Sequence, residues 1–201
     1  MSERGYHHGD LRNALLAATA DLVRERGARG FSVSEAARRV GVSSSAPYRH
    51  FADRDDMLAA AALAGFVELE ERFERLRLED GFVGTAMRIA DEYVRFARED
   101  PARFEVMFAH GIDKAGHAEL LQQTCRIQAR LEAVLGRHLP TDEASRRAAE
   151  LWSLAHGVAE LVLGGNAQHV LPEDGVGDLA RSVSSAWARG VSGAGGAEST
   201  G

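Results

Sequence analysis

At 201 residues, with 24 basic and 30 acidic side chains, the chain is long enough to bury a real core, and its formal net charge of -6 excludes a general polyanion coat. A single cysteine, Cys125, excludes an internal disulfide framework, and no apolar run is long enough to cross a bilayer. Scarce proline and abundant alanine, leucine, arginine and glutamate favour helix over strand, so composition predicts an all-α protein.

In chain order, nine helices are predicted. The first runs over residues 10–26, with Asp10 as its N-cap, Leu11, Leu15, Ala18 and Leu22 on one face, and Gly27 ending it. The second opens at Ser32, where SVSE reads as a capping box between Ser32 and Glu35, and Gly41 supplies a left-handed turn after it. A third short helix covers 44–51. The fourth begins at Asp53, with Asp55 and Asp56 in its first turn, and continues to Leu78. Helix five spans 83–98, and helix six starts on Pro101, a residue suited to the first helical position. Helices seven to nine cover 116–138, 142–163 and 176–189. The glycine-rich end from residue 191 is too poor in apolar side chains to order itself. This pattern divides into a small helical module at 1–55, a larger helical domain at 56–190 and a disordered tail at 191–201.

Pro47 interrupts the third predicted helix. If Ser44 caps that helix, Pro47 is its third residue, whose amide has no intrahelical partner, and little is lost. If Ser43 caps it, one helix hydrogen bond disappears and the turn is distorted.

The acidic average hides an asymmetry. Residues 1–55 hold nine arginines and seven acids, a balance of +2, whereas 56–201 hold 15 basic and 23 acidic side chains, a balance of -8. A phosphate-binding surface is therefore expected in the first quarter. There, a short helix, a glycine turn and a second short helix fit a helix-turn-helix, whose second helix enters the major groove. Ser43, Ser44 and Ser45 stand at the positive N-terminus of that second helix, where amides and small hydroxyls can approach a phosphate or a base edge. Tyr48, His50 and Arg54 are placed to meet phosphates, and Ser44, Ser45 and Arg49 to meet bases. The plainer alternatives are a solvated helix start for the serines, core packing for Tyr48, and an ordinary surface position for Arg54.

The segment FSVSEAARRVGVSSSAPYRHFADRDDML resembles the DNA-binding segment of the TetR family of bacterial transcriptional regulators. The resemblance rests on the apolar-Ser opening, Ala36-Ala37, Gly41-Val42-Ser43, Tyr48-x-His50-Phe51, and Arg54 before an acid and Leu58, and it extends over 9–66. The sequence departs from the family at Ala46, where a hydroxyl is usual, and at Pro47, where an aliphatic residue is usual. A second likeness, in LWSLAHGVAELV, matches Trp152, His156 and Gly157 to the Trp-His-Gly signature of one C-terminal class in that family.

The resemblance implies an N-terminal three-helix DNA-binding domain and a larger domain that binds a small effector and dimerises through its last two helices. Such a protein is a repressor that holds a palindromic double-stranded operator as a homodimer and is released by its ligand. Two copies about a twofold axis would read such a site across successive major grooves. Candidate effector contacts are Tyr93, Phe96, Phe104, Met107, Phe108, Trp152 and His156, an aromatic and methionine set for which Tyr93, His110 or His156 offers a polar handle. Candidate dimer contacts are Leu154, Val158, Leu161 and Val162 on helix eight, with Val183 and Trp187 on helix nine. No Gly-x-Ser-x-Gly, phosphate loop, Cys-x-x-Cys or metal-ligand spacing is present, so neither catalysis nor a cofactor is expected. A cytoplasmic location fits the lone cysteine and an opening, MSERGYHHGD, without a signal-peptide core. The alternative is a helical ligand-binding protein that does not bind DNA.

Overall fold

The computed structural model of the chain describes residues 8–78, 81–140, 142–169 and 173–197. Among these residues there are eight α-helices and no strand: α1 His8–Gly30, α2 Val33–Val40, α3 Arg54–Glu74, α4 Gly81–Glu99, α5 Pro101–Phe108, α6 Ala118–Leu135, α7 Ala144–Leu163 and α8 Glu173–Ala197. Single 3-10 turns stand at Pro47–Arg49 and Ala167–His169. The predicted all-α class is observed.

Breaks in the helices follow the local chemistry. In α1, Gly27 leaves the helical conformation (φ 69, ψ 164), as expected for the residue that ends the helix, although one further turn follows it. The helix starts at His8, ahead of the predicted cap at Asp10. Gly41 closes α2 in the left-handed region (φ 78, ψ 29), its amide reaching the carbonyls of Ala37 and Arg38. The predicted capping box at the other end is absent. Ser32 has the extended backbone of an N-cap (φ -134, ψ 128) but makes no side-chain cap bond. The Glu35 carboxylate that would complete the box is held instead by the Arg38 fork, at 2.6 and 3.0 Å, with Arg26 at 3.7 Å. Charge-assisted bonds to guanidinium compete better for a carboxylate than one neutral amide does.

The third predicted helix, 44–51, is corrected to a turn followed by the single 3-10 turn Pro47–Arg49. The Ser43 carbonyl accepts from the Ala46 amide at 3.0 Å, and Pro47 has no N–H with which to continue the ladder. The Pro47 carbonyl then accepts from both His50 (2.9 Å) and Phe51 (3.0 Å), which closes the turn. Ala46 thus stands in the cap position and Pro47 is the first residue of the turn, so neither Ser43 nor Ser44 caps a helix here and both predicted alternatives lapse with the 44–51 helix.

The start of α3 has the reciprocal capping that α2 lacks. Asp53 accepts the Asp56 amide at 2.8 Å, and Asp56 accepts the Ala52 amide at 2.8 Å. The helix ends at Glu74, short of Leu78. Pro101 occupies the first position of α5 behind an Asp100 cap that accepts the Arg103 amide at 3.0 Å. α8 continues to Ala197, so 191–197 are helical where composition predicts a tail; buried Val191 and a Ser192 hydroxyl bonded to the Ala188 carbonyl (3.0 Å) carry the helix past Gly190. The last four residues of the predicted tail lie outside the described residues.

Two compact units form, one from residues 1–68 with 100–124 and one from 69–99 with 125–201. In the first, Leu15, Leu22, Phe31, Ala36, Phe51, Met57, Leu58 and Val106 share one core, with α5 lying against α1. α3 meets α5 at Gly65, where a Cβ would stand 2.6 Å from Cγ and Sδ of Met107. In the second unit α4 packs against α7 and α8, burying Ile89, Ala90, Phe96, Ala148, Leu151, Ala155, Ala159 and Ala188. No helix among the described residues is long and apolar enough to cross a membrane.

Candidate nucleic-acid interface

The turn between α2 and α3 presents a polar tip on an anchored base. Ser43, Ser44, Ser45, Tyr48 and Arg49 are exposed, while Pro47 and Phe51 beneath them are buried. Tyr48 is 56% exposed, which removes the core-packing alternative for that ring. Burying Pro47 and Phe51 fixes the turn from below, so its outer residues need little further ordering to meet a partner. The Ser43 and Ser45 hydroxyls lie 3.1 Å apart and Ser44 stands between them. His50 is half-buried with its ring against Phe51, at 6.2 Å between centroids. The structure thus brings six of the seven predicted DNA-contact residues to one short stretch of surface.

Arg54, the seventh, is engaged inside the unit. Its guanidinium donates to the Ala28 carbonyl and to the Phe31 carbonyl (3.3 Å), lies 5.9 Å from the Phe31 ring centroid, and pairs with Asp55 at 2.7 Å. It therefore ties the start of α3 to the loop between α1 and α2. Two further arginines brace the same unit without having been singled out from sequence. Arg12 lies over the Phe51 ring at 5.5 Å, and Arg39 grips Glu25 at 2.5 and 2.8 Å. Hydrogen bonding to Arg39 holds the Glu25 carboxyl below its ordinary value, and hydrogen bonding to Arg38 does the same for Glu35.

The seven effector candidates separate. Phe104, Met107 and Phe108 belong to the first unit, with Phe104 and Met107 fully buried. Tyr93, Phe96, Trp152 and His156 belong to the second, with Phe96 fully buried. Tyr93, Trp152 and His156 do meet: the Trp152 indole donates to the Tyr93 oxygen at 3.3 Å, and that hydroxyl lies 2.9 Å from His156 Nδ1. The His156 Nε2 faces Glu160 at 3.7 Å. Burial pushes the Tyr93 phenol up, which keeps it protonated and able to donate. Clefts of about 440 and 200 Å³ lie in the first unit, and one of about 210 Å³ in the second. None of the seven lines any of these three.

The dimer candidates separate as well. Val158 and Val162 are buried within the second unit, while Leu161 and Trp152 are both exposed on α7, at 47% and 43%. Leu154 and Val183 are half-buried. Trp187 packs on Phe82 at 5.6 Å and donates to Glu150 at 3.0 Å.

Two family models match the chain. One, described as bacterial regulatory proteins of the tetR family, covers residues 15–61. The other, described as a tetracyclin repressor-like C-terminal domain, covers 86–184 and names no Trp-His-Gly class. No curated protein matches. A solved protein of unknown function from Rhodococcus sp. RHA1 is 29% identical, with a TM-score of 0.74 over 94% of this chain and 98% of that one. A transcriptional regulator from Rhodococcus sp. Rha1 is 26% identical, with a TM-score of 0.71 over 88% and 94%. A TetR-family regulator from Rhodococcus sp., at 20% identity, shares the fold, with a TM-score of 0.65 over 87% and 97%. The chain belongs to the TetR family of bacterial transcriptional regulators and is a DNA-binding regulator rather than an enzyme.

Proposed function

We propose that the protein is a repressor that holds a palindromic operator as a homodimer and releases it on binding a small molecule. Residues 1–55 act as the reading module and 56–190 as the effector-binding and dimerising body. The observation that carries this reading is the exposed tip of Ser43, Ser44, Ser45, Tyr48 and Arg49 on a base fixed by Pro47 and Phe51. Serine hydroxyls both donate and accept, so they discriminate bases weakly, and Arg49 supplies the stronger base contact. Phosphate contacts from Tyr48 and His50 set the register. Arg54 acts chiefly by holding the module in shape.

For the dimer, the outward faces of α7 and α8 offer Trp152, Leu161, Ser182, Ala186 and Gly190. A Cβ at Gly157 or Gly190 would meet nothing within 4 Å, so both faces can accept a close partner. Release follows from linkage: a ligand that binds better to a form with its two reading modules off half-site spacing shifts the population toward that form. The Tyr93, Trp152 and His156 cluster supplies polar groups for such a ligand.

A mobility-shift titration with DNA from beside the coding region, at stated salt, tests the reading. A sequence-dependent complex with two protomers per site supports it. Monomeric binding would overturn the dimer, and an operator complex untouched by any ligand that binds the protein would overturn release.

A further inference from the structure

One cleft of the first unit, of about 200 Å³, lies against the base of the 43–50 tip. Three side chains far apart in sequence bring N–H donors to it: Arg12 from α1, His50 from the turn after α2, and His117 from just ahead of α6. Its apolar walls include Phe51, Leu63 and Leu120, of which Phe51 and Leu120 are buried. One small space therefore joins a donor-rich side to an apolar side.

Arg12 stands out among the arginines of this unit. Arg38, Arg39 and Arg54 are each committed to a carboxylate, whereas the Arg12 guanidinium lies over the Phe51 ring at 5.5 Å and, among the described residues, forms no ion pair and no hydrogen bond. Two acids share the cleft without pairing to it. Asp56 accepts the Ala52 amide at 2.8 Å in the first turn of α3, and exposed Glu119 stands in the first turn of α6. Each carboxylate thus faces the positive end of its own helix, which offsets its charge locally. What is left over is a planar guanidinium fork beside two imidazoles that each carry at least one N–H, a donor set matched to the two oxygens of a carboxylate. The apolar walls favour a carboxylate carried on one ring or a short chain over an inorganic anion.

We propose that this cleft binds a small apolar carboxylate. Arg12 clasps the carboxylate oxygens, His50 and His117 donate from the side, and the ring or chain rests on Phe51, Leu63 and Leu120. The site belongs to a different unit from the Tyr93, Trp152 and His156 cluster and is separate from it. His50 is part of the tip and Phe51 is its buried anchor, so an occupant bears on the tip directly. Binding is read without DNA, so the inference stands or falls separately from operator recognition.

Isothermal titration of the full chain with sodium benzoate, and with benzamide as its neutral counterpart, tests the site. Benzoate should bind about tenfold more tightly than benzamide. Arg12→Gln should remove most of that difference while leaving benzamide nearly unaffected, and His117→Ala should weaken benzoate several-fold. Both variants are checked for folding by circular dichroism. No detectable benzoate binding, benzamide binding as tightly as benzoate, or a benzoate affinity unchanged in folded Arg12→Gln or in folded His117→Ala would overturn the proposal.

Discussion

Replacing Arg54 with alanine separates the phosphate contact expected from sequence from the bracing role seen in the structure. As a phosphate ligand, Arg54 contributes only when DNA is present. As placed in the structure, its guanidinium donates to the carbonyls of Ala28 and Phe31 and lies over the Phe31 ring. Each charge-assisted hydrogen bond contributes about 1.5–3 kcal/mol when shielded from water. The side chain is 39% exposed, so the pair is discounted to a total of about 2 kcal/mol. For a chain of this length that corresponds to a fall in melting temperature of about 4–8 °C. Thermal unfolding by circular dichroism measures it without DNA. Arg54→Lys should recover only part of the loss, because an ammonium cannot span both carbonyls as the guanidinium fork does. A melting temperature unchanged in Arg54→Ala, together with a large loss of operator affinity, would refute the bracing role and return Arg54 to the interface.

Other outcomes follow from single contacts. Gly41→Ala forces a side chain into the left-handed region and should cost about 1 kcal/mol, read from the urea midpoint. Gly65→Ala places a Cβ 2.6 Å from fully buried Met107 and should destabilise by about 1–3 kcal/mol, with Gly65→Ala/Met107→Ala recovering part of the loss. Tyr93→Phe removes the oxygen that joins Trp152 to His156; it should cost about 1–2 kcal/mol and change the Trp152 emission, seen against a Trp187→Phe background. The carboxyls of Glu25, Glu35 and Glu99 are held below their ordinary 4.5, chiefly by hydrogen bonds to Arg39, Arg38 and Arg72 respectively. Because folding depresses these pKa values, their contribution is present above about pH 4.5 and lost as pH falls through the lower folded values. Melting temperature measured from pH 7 to 3 should decline in that window, and less steeply in Arg39→Met.

Residues whose effect is confined to their own backbone were legible from sequence: the breaks at Gly27 and Gly41 and the first helical position of Pro101 all hold. What failed depends on competition or distance. The capping box at Ser32 follows a local rule, but Glu35 has two arginines within reach and pairs with them. The partners of Arg54 lie 23 and 26 residues earlier in the chain, beyond any local pattern. Pro47 was readable as a problem, yet its observed place, first residue of a single 3-10 turn behind Ala46, matches neither Ser43 nor Ser44 as cap. The exposure of Ser43, Ser44, Ser45, Tyr48 and Arg49 follows from their place in the turn between α2 and α3, which leaves few ways to point. Which of the effector and dimer candidates serve a ligand or a partner is not legible in the same way, since apolar residues on an amphipathic helix look alike whether they face their own core or a partner.

Fluorescence anisotropy with an operator duplex and a scrambled duplex of equal length, at one stated salt concentration, tests the reading module most directly. The wild-type chain should prefer the operator, and Arg49→Ala should lose about 1–3 kcal/mol of that preference while binding the scrambled duplex nearly as before. Equal affinity of the wild-type chain for both duplexes, or a preference untouched by Arg49→Ala and by alanine at Ser44 and Ser45 together, would contradict recognition through the 43–50 tip.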